Sequence, residues 1–442
     1  MSELIAYKLI SIIISLGFLV TAWLCKKITS TWVNPSSILN LFWFLYTFLP
    51  LILAYKTPIN PLAIMYIFVF CMLFSVSLIL FNWKTALKLN KDKQPAYVWF
   101  GNRLFSISFY TISVTTSIFF LIGMVMQGFS FQEMLNPVAL AGEFANMRYS
   151  AEVKPNIFSQ AGLQGSYITI VLGGLYYGAT KTDTRKNVLI IILSFLPSIL
   201  AMTLQSAKGL FFFSVFVFYA GVLVAGIYNQ KYQLLTISTL KKFGIFGLFA
   251  FPLLVSSFVS RGLQGAEVEI IVEKIRFYLV TYSSGHLFAF SDWLSVRYFN
   301  YGSLDYRQES LSGGFYTFMS LFRLFGDDRE IPMGVYDEFY TYGKYVKTNI
   351  YTVFRGLITD FTILGSLFFA LAAGFISNLF FYRLLCSKAN IFYILFFIFF
   401  VGVSYQSYII STFMWITIPF VFLVNLIIIF CIRLLQTSVR VV

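Results

Sequence analysis

The sequence is dominated by runs of roughly 20 mostly apolar residues, the length that an α-helix needs to cross the hydrocarbon core of a bilayer. Hydrophobic residues make up 59% of the 442 residues and charged residues only 11%, which is more apolar surface than a single soluble core can bury. The chain is therefore predicted to be an all-α polytopic integral membrane protein with about 11 transmembrane helices, within a range of roughly 10–12. The predicted runs lie near residues 5–25, 35–54, 62–82, 105–127, 157–178, 187–205, 209–228, 243–259, 357–382, 390–411 and 414–432.

One long segment, residues 260–351, is too polar to lie in a bilayer. Within it, Val268–Leu279 has apolar residues at helical spacing and charged residues on its other faces, which predicts an amphipathic helix at the membrane interface. No internal repeat is evident. We therefore expect one integral membrane domain, residues 1–442, with 260–351 as an external loop subdomain that contains amphipathic helices.

Lys and Arg are concentrated in one alternate set of loops and ends, where Asp92 and Asp183 are the acidic residues. By the positive-inside rule this side is cytoplasmic. The C-terminus is then inside, whereas the N-terminus and residues 260–351 are outside. The net charge of +14 is accordingly a topology signal, and we expect membrane lipid rather than nucleic acid as a partner. The basic stretches are 26–27, 84–103, 181–186, 231–242, 383–388 and 433–440.

The cysteines and the single histidine limit metal and redox chemistry. All four cysteines lie in or at the ends of apolar runs, so the external loop contains no disulfide. With His286 as the one histidine, the chain has no ligand set typical of a zinc site. The sequence predicts neither a metal nor another cofactor.

Two arginines mark the ends of the external loop, where it meets the flanking apolar runs. Arg261 and Arg355 are candidates for binding a pyrophosphate through bidentate hydrogen bonds, and Arg323 within the loop is a further candidate. The alternative is that these side chains anchor the chain at the membrane interface, as arginines often do.

Lys208 and Asp360 are ionisable residues inside or between apolar runs, where a charge is costly unless it faces water or a partner. Lys208 is therefore a candidate for substrate binding, or the residue of an ordinary external turn. Asp360 is a candidate catalytic carboxylate, or one member of an ion pair within the membrane. It follows Arg355 by five residues, one more than the favourable helical spacing.

His286 and Asp292 lie in the stretch Gly285-His286-Leu287-Phe288-Ala289-Phe290-Ser291-Asp292-Trp293 of the external loop. Either side chain is a candidate general base for a sugar hydroxyl. The alternative for the histidine is a polar surface residue without a catalytic role.

Several short motifs accompany the predicted spans: Ser206-Ala207-Lys208-Gly209, Arg261-Gly262, Gly285–Trp293, and Asn349–Arg355 followed by Asp360 and Gly365. Together with the number of spans, these motifs resemble the bacterial O-antigen polymerases, the oligosaccharide repeat unit polymerases, over most of the chain from about Ile157 onward. In that family's loose pattern ten residues separate an external arginine from a glycine. Here nine residues separate Arg355 from Gly365, and Arg261 has no glycine at that distance.

The resemblance implies a metal-independent glycosyltransferase of the bacterial inner (cytoplasmic) membrane, with its active site on the periplasmic side. Donor and acceptor would both be glycans linked to undecaprenyl pyrophosphate, and a polysaccharide chain-length regulator would be a possible partner. The arginines would stabilise charge on the departing pyrophosphate. Two alternatives stay open: a flippase or other transporter of lipid-linked oligosaccharide, and an O-antigen ligase.

Overall fold

The computed structural model describes residues 2–150, 152–154, 156–180, 184–259, 266–307, 310–332 and 334–441. The helices are α1 (Ser2–Thr29), α2 (Pro35–Leu53), α3 (Pro61–Val76), α4 (Trp83–Lys91), α5 (Ala96–Phe100), α6 (Arg103–Val125), α7 (Phe131–Met134), α8 (Pro137–Tyr149), α9 (Ile157–Ala179), α10 (Thr184–Gln205), α11 (Lys208–Tyr228), α12 (Ile237–Val259), α13 (Val268–Phe299), α14 (Phe315–Leu324), α15 (Thr352–Cys386), α16 (Ile391–Gln406) and α17 (Thr417–Val441). Two 3₁₀ helices cover Ser77–Leu80 and Thr412–Met414, and the short strands β1 (Tyr340–Tyr342) and β2 (Val346–Thr348) pair antiparallel.

Each of the eleven predicted apolar runs coincides with a helix. Within the described ranges, nine helices are long and apolar enough to cross a membrane: α1, α2, α3 with the 3₁₀ turn after it, α6, α10, α11, α12, α15 and α17. The other two runs form α9, which is richer in Gly, Ser and Gln, and α16, which has only 16 residues. The protein is thus an all-α, multi-pass membrane protein, as predicted.

The chain divides into two compact units. The first comprises Met1–Leu87, Arg276–Arg383 and Val403–Pro419. Its interior is rich in aromatic residues, and Phe354 lies among four of them, with ring-centroid distances of 4.7 Å to Trp43, 4.9 Å to Phe70, 5.6 Å to Tyr66 and 6.0 Å to Phe290. The start of α15 is therefore packed against α2, α3 and α13.

The second unit comprises Lys88–Ile275, Leu384–Gly402 and Phe420–Val442. Helix α9 packs there against α6, α10 and α11. Small residues permit these close approaches: a Cβ on Gly174 would overlap the backbone of Phe218, and one on Gly162 would press against the backbone of Phe120. Such interfaces are typical of helices that associate in membranes, and they explain the lower hydropathy of α9.

The predicted external loop contains more regular structure than its sequence indicates. The amphipathic helix expected at Val268–Leu279 begins at Val268 but continues to Phe299. Gly285 does not interrupt it, because the residue packs directly against Thr348. The hairpin of β1 and β2 was not predicted, since strands of three residues leave little pattern in a sequence.

Helix α15 is broken at Thr362, whose backbone has φ 63° and ψ 175°. A β-branched residue rarely adopts a positive φ. The Oγ1 of Thr362 accepts a hydrogen bond from the backbone N–H of Gly365 at 3.4 Å, as an N-cap does. The break thus begins a new helical segment and separates it from residues 352–361, nearly all of which are buried.

Candidate functional site

The most unusual side chain of the first unit is Arg355, which has no exposed surface. Four aromatic rings surround its guanidinium carbon, with distances to the ring centroids of 3.9 Å for Tyr336, 4.4 Å for Tyr351, and 5.5 Å for both Trp293 and Tyr306. A cation over the face of an aromatic ring is attracted by the ring quadrupole, most strongly where water is excluded. We call these four residues the aromatic cage.

Glu338 provides the counter-charge of Arg355. Both of its carboxylate oxygens lie 3.2 Å from one guanidinium nitrogen, and its side chain is 14% exposed. Partial burial acts to raise the pKa of Glu338, but the charge and hydrogen bonds of Arg355 outweigh it, so the pKa lies below its ordinary value. The pair is therefore ionised at neutral pH, as a buried guanidinium requires.

Arg355 is held in place by the residues beside it in the first turn of α15. The ring of Phe354 is fixed in the aromatic interior of the first unit, and the backbone N–H of Val353 donates to the carbonyl oxygen of Ser407 at 2.9 Å. Thr352 starts the helix with a φ of 67°. These constraints fix the direction in which the arginine leaves the helix.

Asp292 supports the cage through Tyr306. One carboxylate oxygen accepts hydrogen bonds from the backbone N–H and hydroxyl of Ser303, at 2.9 and 3.0 Å, and the other accepts from the Tyr306 hydroxyl at 2.8 Å. Because Tyr306 is a cage residue, Asp292 orients one wall of the cage. Burial, together with the neighbouring Tyr351 and Asp292, raises the pKa of Tyr306 far above its usual range, so this phenol stays protonated and can donate to the carboxylate.

Asp360 is 1% exposed and accepts four hydrogen bonds. The hydroxyls of Ser312 and Thr317 donate at 2.5 Å each, and the backbone N–H groups of Tyr316 and Thr317 donate at 3.0 and 2.6 Å. Both N–H groups belong to the first turn of α14, which has no intrahelical acceptor for them. The partners of this buried carboxylate are thus hydroxyl and amide donors, and it caps a helix.

Through this cap, Asp360 also acts on the cage. The ring of Tyr316 stacks on that of Tyr336 with a centroid distance of 5.9 Å. Tyr316 also packs beside Gly356, where a Cβ would lie 3.2 Å from the Cβ of the tyrosine. By fixing α14, Asp360 therefore holds Tyr336 against Arg355.

A cavity of about 350 Å³ adjoins the cage at Tyr336. Asn349, Ile410, Trp415 and Arg323 are among its lining residues. Trp415 is half exposed and lies two residues before the start of α17. The lining that the structure describes is thus largely apolar, with Arg323 as its cation, and the cavity lies where the chain begins a candidate membrane span.

An open cleft of about 540 Å³ lies on the other side of Arg323. Its lining is charged and includes Asp327, Asp328 and Arg329. Asp327 is paired with Arg329 at 2.5 Å. The exposed Arg323 lines both spaces, so it stands between an apolar and a charged environment, which suits the polar end of an amphiphilic ligand.

His286 lies in the interior of the first unit and is 2% exposed. Its Nε2 is 2.9 Å from the backbone carbonyl oxygen of Tyr46, and its ring makes edge contacts with Tyr46 and Tyr408 at centroid distances of 5.9 and 5.2 Å. The sequence suggested a surface residue as the alternative to a base, and the structure instead gives a histidine buried among tyrosines.

Of the two remaining candidates, one belongs to the second unit and one lies outside the described residues. Lys208 belongs to the second unit, where it begins α11 and its Nζ lies 3.7 Å from the ring centroid of Phe258. Arg261 falls outside the described residues. Of the predicted site residues, the structure therefore gathers Arg355, Asp292 and Asp360 around the cage, with Arg323 beside the adjoining cavity.

Sequence reasoning missed Glu338 and the cage tyrosines. In the stretch Tyr336-Asp337-Glu338-Phe339-Tyr340, residues with low exposure alternate with exposed ones, so that Glu338 faces inward between two buried tyrosines. Such alternation is the mark of an extended strand with one buried face. The alternation is one of exposure and not of polarity, since the exposed positions are Asp337 and Phe339, so no signal in the sequence revealed the partner of Arg355.

These observations define the class of the protein: an all-α, multi-pass membrane protein with a buried arginine site beside a largely apolar cavity. Comparison with family models, with curated proteins and with solved structures gives no match to this chain. Across the described residues, no group of three or more His, Cys, Asp or Glu is placed to hold a metal ion.

Proposed function

We propose that this protein is a membrane glycosyltransferase that polymerises undecaprenyl-pyrophosphate-linked oligosaccharide repeat units into O-antigen or a related surface polysaccharide. The observation that carries the proposal is the position of Arg355, a buried cation next to a largely apolar cavity at the start of a candidate span. The resemblance of its sequence surroundings to O-antigen polymerases supports the same assignment.

The chemistry requires that charge be stabilised on a leaving group. The bond between the anomeric carbon of the donor glycan and the pyrophosphate oxygen breaks, and the acceptor hydroxyl oxygen forms the new bond to that carbon. The hydroxyl proton passes to a base, and the pyrophosphate leaves on its lipid carrier. Fixed cations in a site with little water stabilise such developing charge strongly, and we assign this role to Arg355 and Arg323.

Among the predicted bases, Asp292 is joined to the cage through Tyr306 and is only partly buried. All the hydrogen bonds described for Asp360 serve the cap of α14, and His286 is enclosed by tyrosines. Asp292 is therefore the base that we favour in this reaction, with Asp360 as a positioning residue.

The sidedness of the reaction follows from the distribution of positive charge. The basic loops favour the cytoplasm, which supports a position of residues 260–351 on the opposite side, and the resemblance implies that this is the periplasmic side of the bacterial inner membrane. There the enzyme would meet lipid-linked donor and acceptor, and a chain-length regulator would be a natural partner.

The test is a lipopolysaccharide gel from a strain that lacks this gene, complemented with wild type, Arg355→Ala, Arg261→Ala or Arg323→Ala at matched membrane abundance. Lys344→Ala, an exposed cation in the turn between β1 and β2, is the control. We expect the deletion to leave core with a single repeat unit, Lys344→Ala to restore the full ladder, and Arg355→Ala to fail. Loss of one positioned charge-stabilising donor typically lowers turnover by about 100-fold or more.

Other gel patterns would support the alternatives. Loss of every repeat unit from core in the deletion strain would indicate a flippase or a ligase instead of a polymerase. A normal ladder from Arg355→Ala would remove the arginine from the mechanism.

A further inference from the structure

Arg355 is closed off in this structure. Its guanidinium has no exposed surface, the aromatic cage surrounds it, and Glu338 occupies its polar side. An external anion that binds this nitrogen of Arg355 therefore displaces the carboxylate of Glu338.

The contact between the two charges is a long one. Charge-assisted N–H···O bonds are typically about 2.7–2.9 Å, whereas both oxygens of Glu338 lie 3.2 Å from the same nitrogen of Arg355. Phosphate and carboxylate oxygens bind a guanidinium through the same geometry. A phosphate group with more than one negative charge is thus a suitable replacement for this carboxylate.

Glu338 is carried by residues 334–339, a segment that belongs to no helix or strand. Gly334 and Val335 begin it with φ values of 87° and 78°, and a positive φ at valine is strained. Asn349 donates to the carbonyl oxygen of Tyr336 at 3.1 Å, and Tyr351 donates to that of Glu338 at 3.0 Å. Arg307 adds an exposed ion pair with Asp337 at 2.6 Å and a backbone N–H bond to Glu338 at 3.4 Å. Exposed ion pairs contribute little to stability, so water can replace this contact when the segment shifts.

The same segment forms one wall of the 350 Å³ cavity. Gly334, Val335 and Tyr336 all line it, opposite Ile410 and Trp415. A ligand that fills the cavity consequently presses on the residues that carry Glu338, and its anionic group is then next to the cage.

We propose that Glu338 is an exchangeable counter-ion, which a phosphate-class anion entering from the cavity replaces on Arg355 while residues 334–339 move outward. The inference rests on the proposed function for the identity of the anion, a pyrophosphate. The displaced carboxylate returns to water and Arg355 stays paired throughout, so no uncompensated buried charge arises.

The first experiment measures binding of inorganic pyrophosphate to the purified full-length protein by isothermal titration calorimetry. Glu338→Gln keeps the shape of the side chain and removes the competing charge, so we expect tighter binding within the roughly 5- to 150-fold range typical of coupled sites. Asp305→Asn, an exposed carboxylate outside residues 334–339, is the control and should bind as wild type does. Adding Arg355→Gln to Glu338→Gln should abolish the gain.

A second measurement uses only the wild-type protein. Amide hydrogen exchange of residues 334–340 should become faster when pyrophosphate binds, because the segment leaves its packed position. Equal affinity of wild type and Glu338→Gln, or unchanged exchange in pyrophosphate-saturated wild type, would overturn the proposal and leave the pair as a fixed structural contact.

Two ligand arms separate the possible sources of the anion. Inorganic pyrophosphate probes the charged group alone, and farnesyl pyrophosphate in detergent adds a short prenyl chain. We expect the prenyl ligand to bind more tightly, since the apolar cavity lining gains a partner; equal affinity would assign the exchange to the free anion. Neither the calorimetry nor the amide hydrogen exchange needs polymer synthesis. If both show that pyrophosphate replaces Glu338 while Arg355→Ala still gives a normal ladder, only the proposed function is refuted.

Discussion

Replacing Asp360 tests whether this buried carboxylate holds the site together. Asp360→Ala removes all four hydrogen bonds described for the side chain and leaves the first N–H groups of α14 without their acceptor. Hydrogen bonds to a charged group contribute about 1.5–3 kcal/mol each, but bonds to one carboxylate are not additive. We expect a loss of about 3–5 kcal/mol in the free energy of unfolding, as for other disrupted buried networks.

Asp360→Asn offers a graded version of the same change. The amide keeps one oxygen as an acceptor but presents an NH₂ group where the other oxygen accepted from Thr317. We expect a smaller loss, about 1–3 kcal/mol. A double-mutant cycle of Asp360→Ala with Ser312→Ala should show coupling, since the two side chains are 2.5 Å apart.

The assay is equilibrium unfolding of the purified protein in mixed micelles titrated with SDS, together with the gel ladder. Asp328→Asn, an exposed carboxylate of the same unit, is the control and should change stability by less than about 0.5 kcal/mol. If Asp360→Ala is as stable as this control, the reasoning about the cap is wrong. A lost ladder at unchanged stability would instead make Asp360 a catalytic residue.

Three further predictions concern other parts of the structure. Burial lowers the pKa of Lys93 to about 8, although nearby Cys386 acts to raise it. Between about pH 8 and 10.5 the unfolded chain therefore binds one proton more than the folded chain. The free energy of unfolding should rise with pH in that window, and Lys93→Met should remove the rise. Gly374→Ala should lower the free energy of unfolding by about 1–3 kcal/mol in the same assay, because its Cβ would overlap the Phe74 carbonyl oxygen. The control Gly209→Ala places a Cβ in open space on a helix and should be neutral or stabilising. Phe354→Ala should cost about 3–5 kcal/mol in that assay and weaken pyrophosphate binding, and stability equal to wild type would contradict its anchoring of Arg355.

The membrane helices could be predicted from the sequence because their signal is local. A run of about 20 apolar residues is long enough to span a bilayer whatever it packs against, so the predicted runs match the helices to within several residues. Helix α9 is less apolar than the other spans because its packing requires small residues. Gly162 and Gly174 lower its hydropathy and permit close contacts with neighbouring helices.

The site was only partly predictable, since its partners come from distant parts of the chain. The sequence suggested an ion pair as the alternative role of Asp360, whereas the described donors are hydroxyl and amide groups of Ser312 and the first turn of α14. Apolar periodicity does not reveal such donors. Arg355 was a candidate from its place beside a span, whereas Glu338 lies in a stretch without helical pattern. The partner of a buried charge is determined by tertiary contacts between distant parts of the chain. Such contacts cannot be inferred from the local pattern of a single sequence.

The break at Thr362 has a consequence for where charge lies along α15. From residue 363 to Cys386 the helix rises by roughly 36 Å, which already exceeds the hydrocarbon thickness of about 30 Å. The ten residues before the break are therefore not needed to cross the membrane, and Arg355 and Asp360 both lie in this additional helical segment. One continuous apolar run in the sequence thus has two environments. Its long part is suited to lipid, its short part is enclosed by protein, and Arg355 and Asp360 belong to the short part.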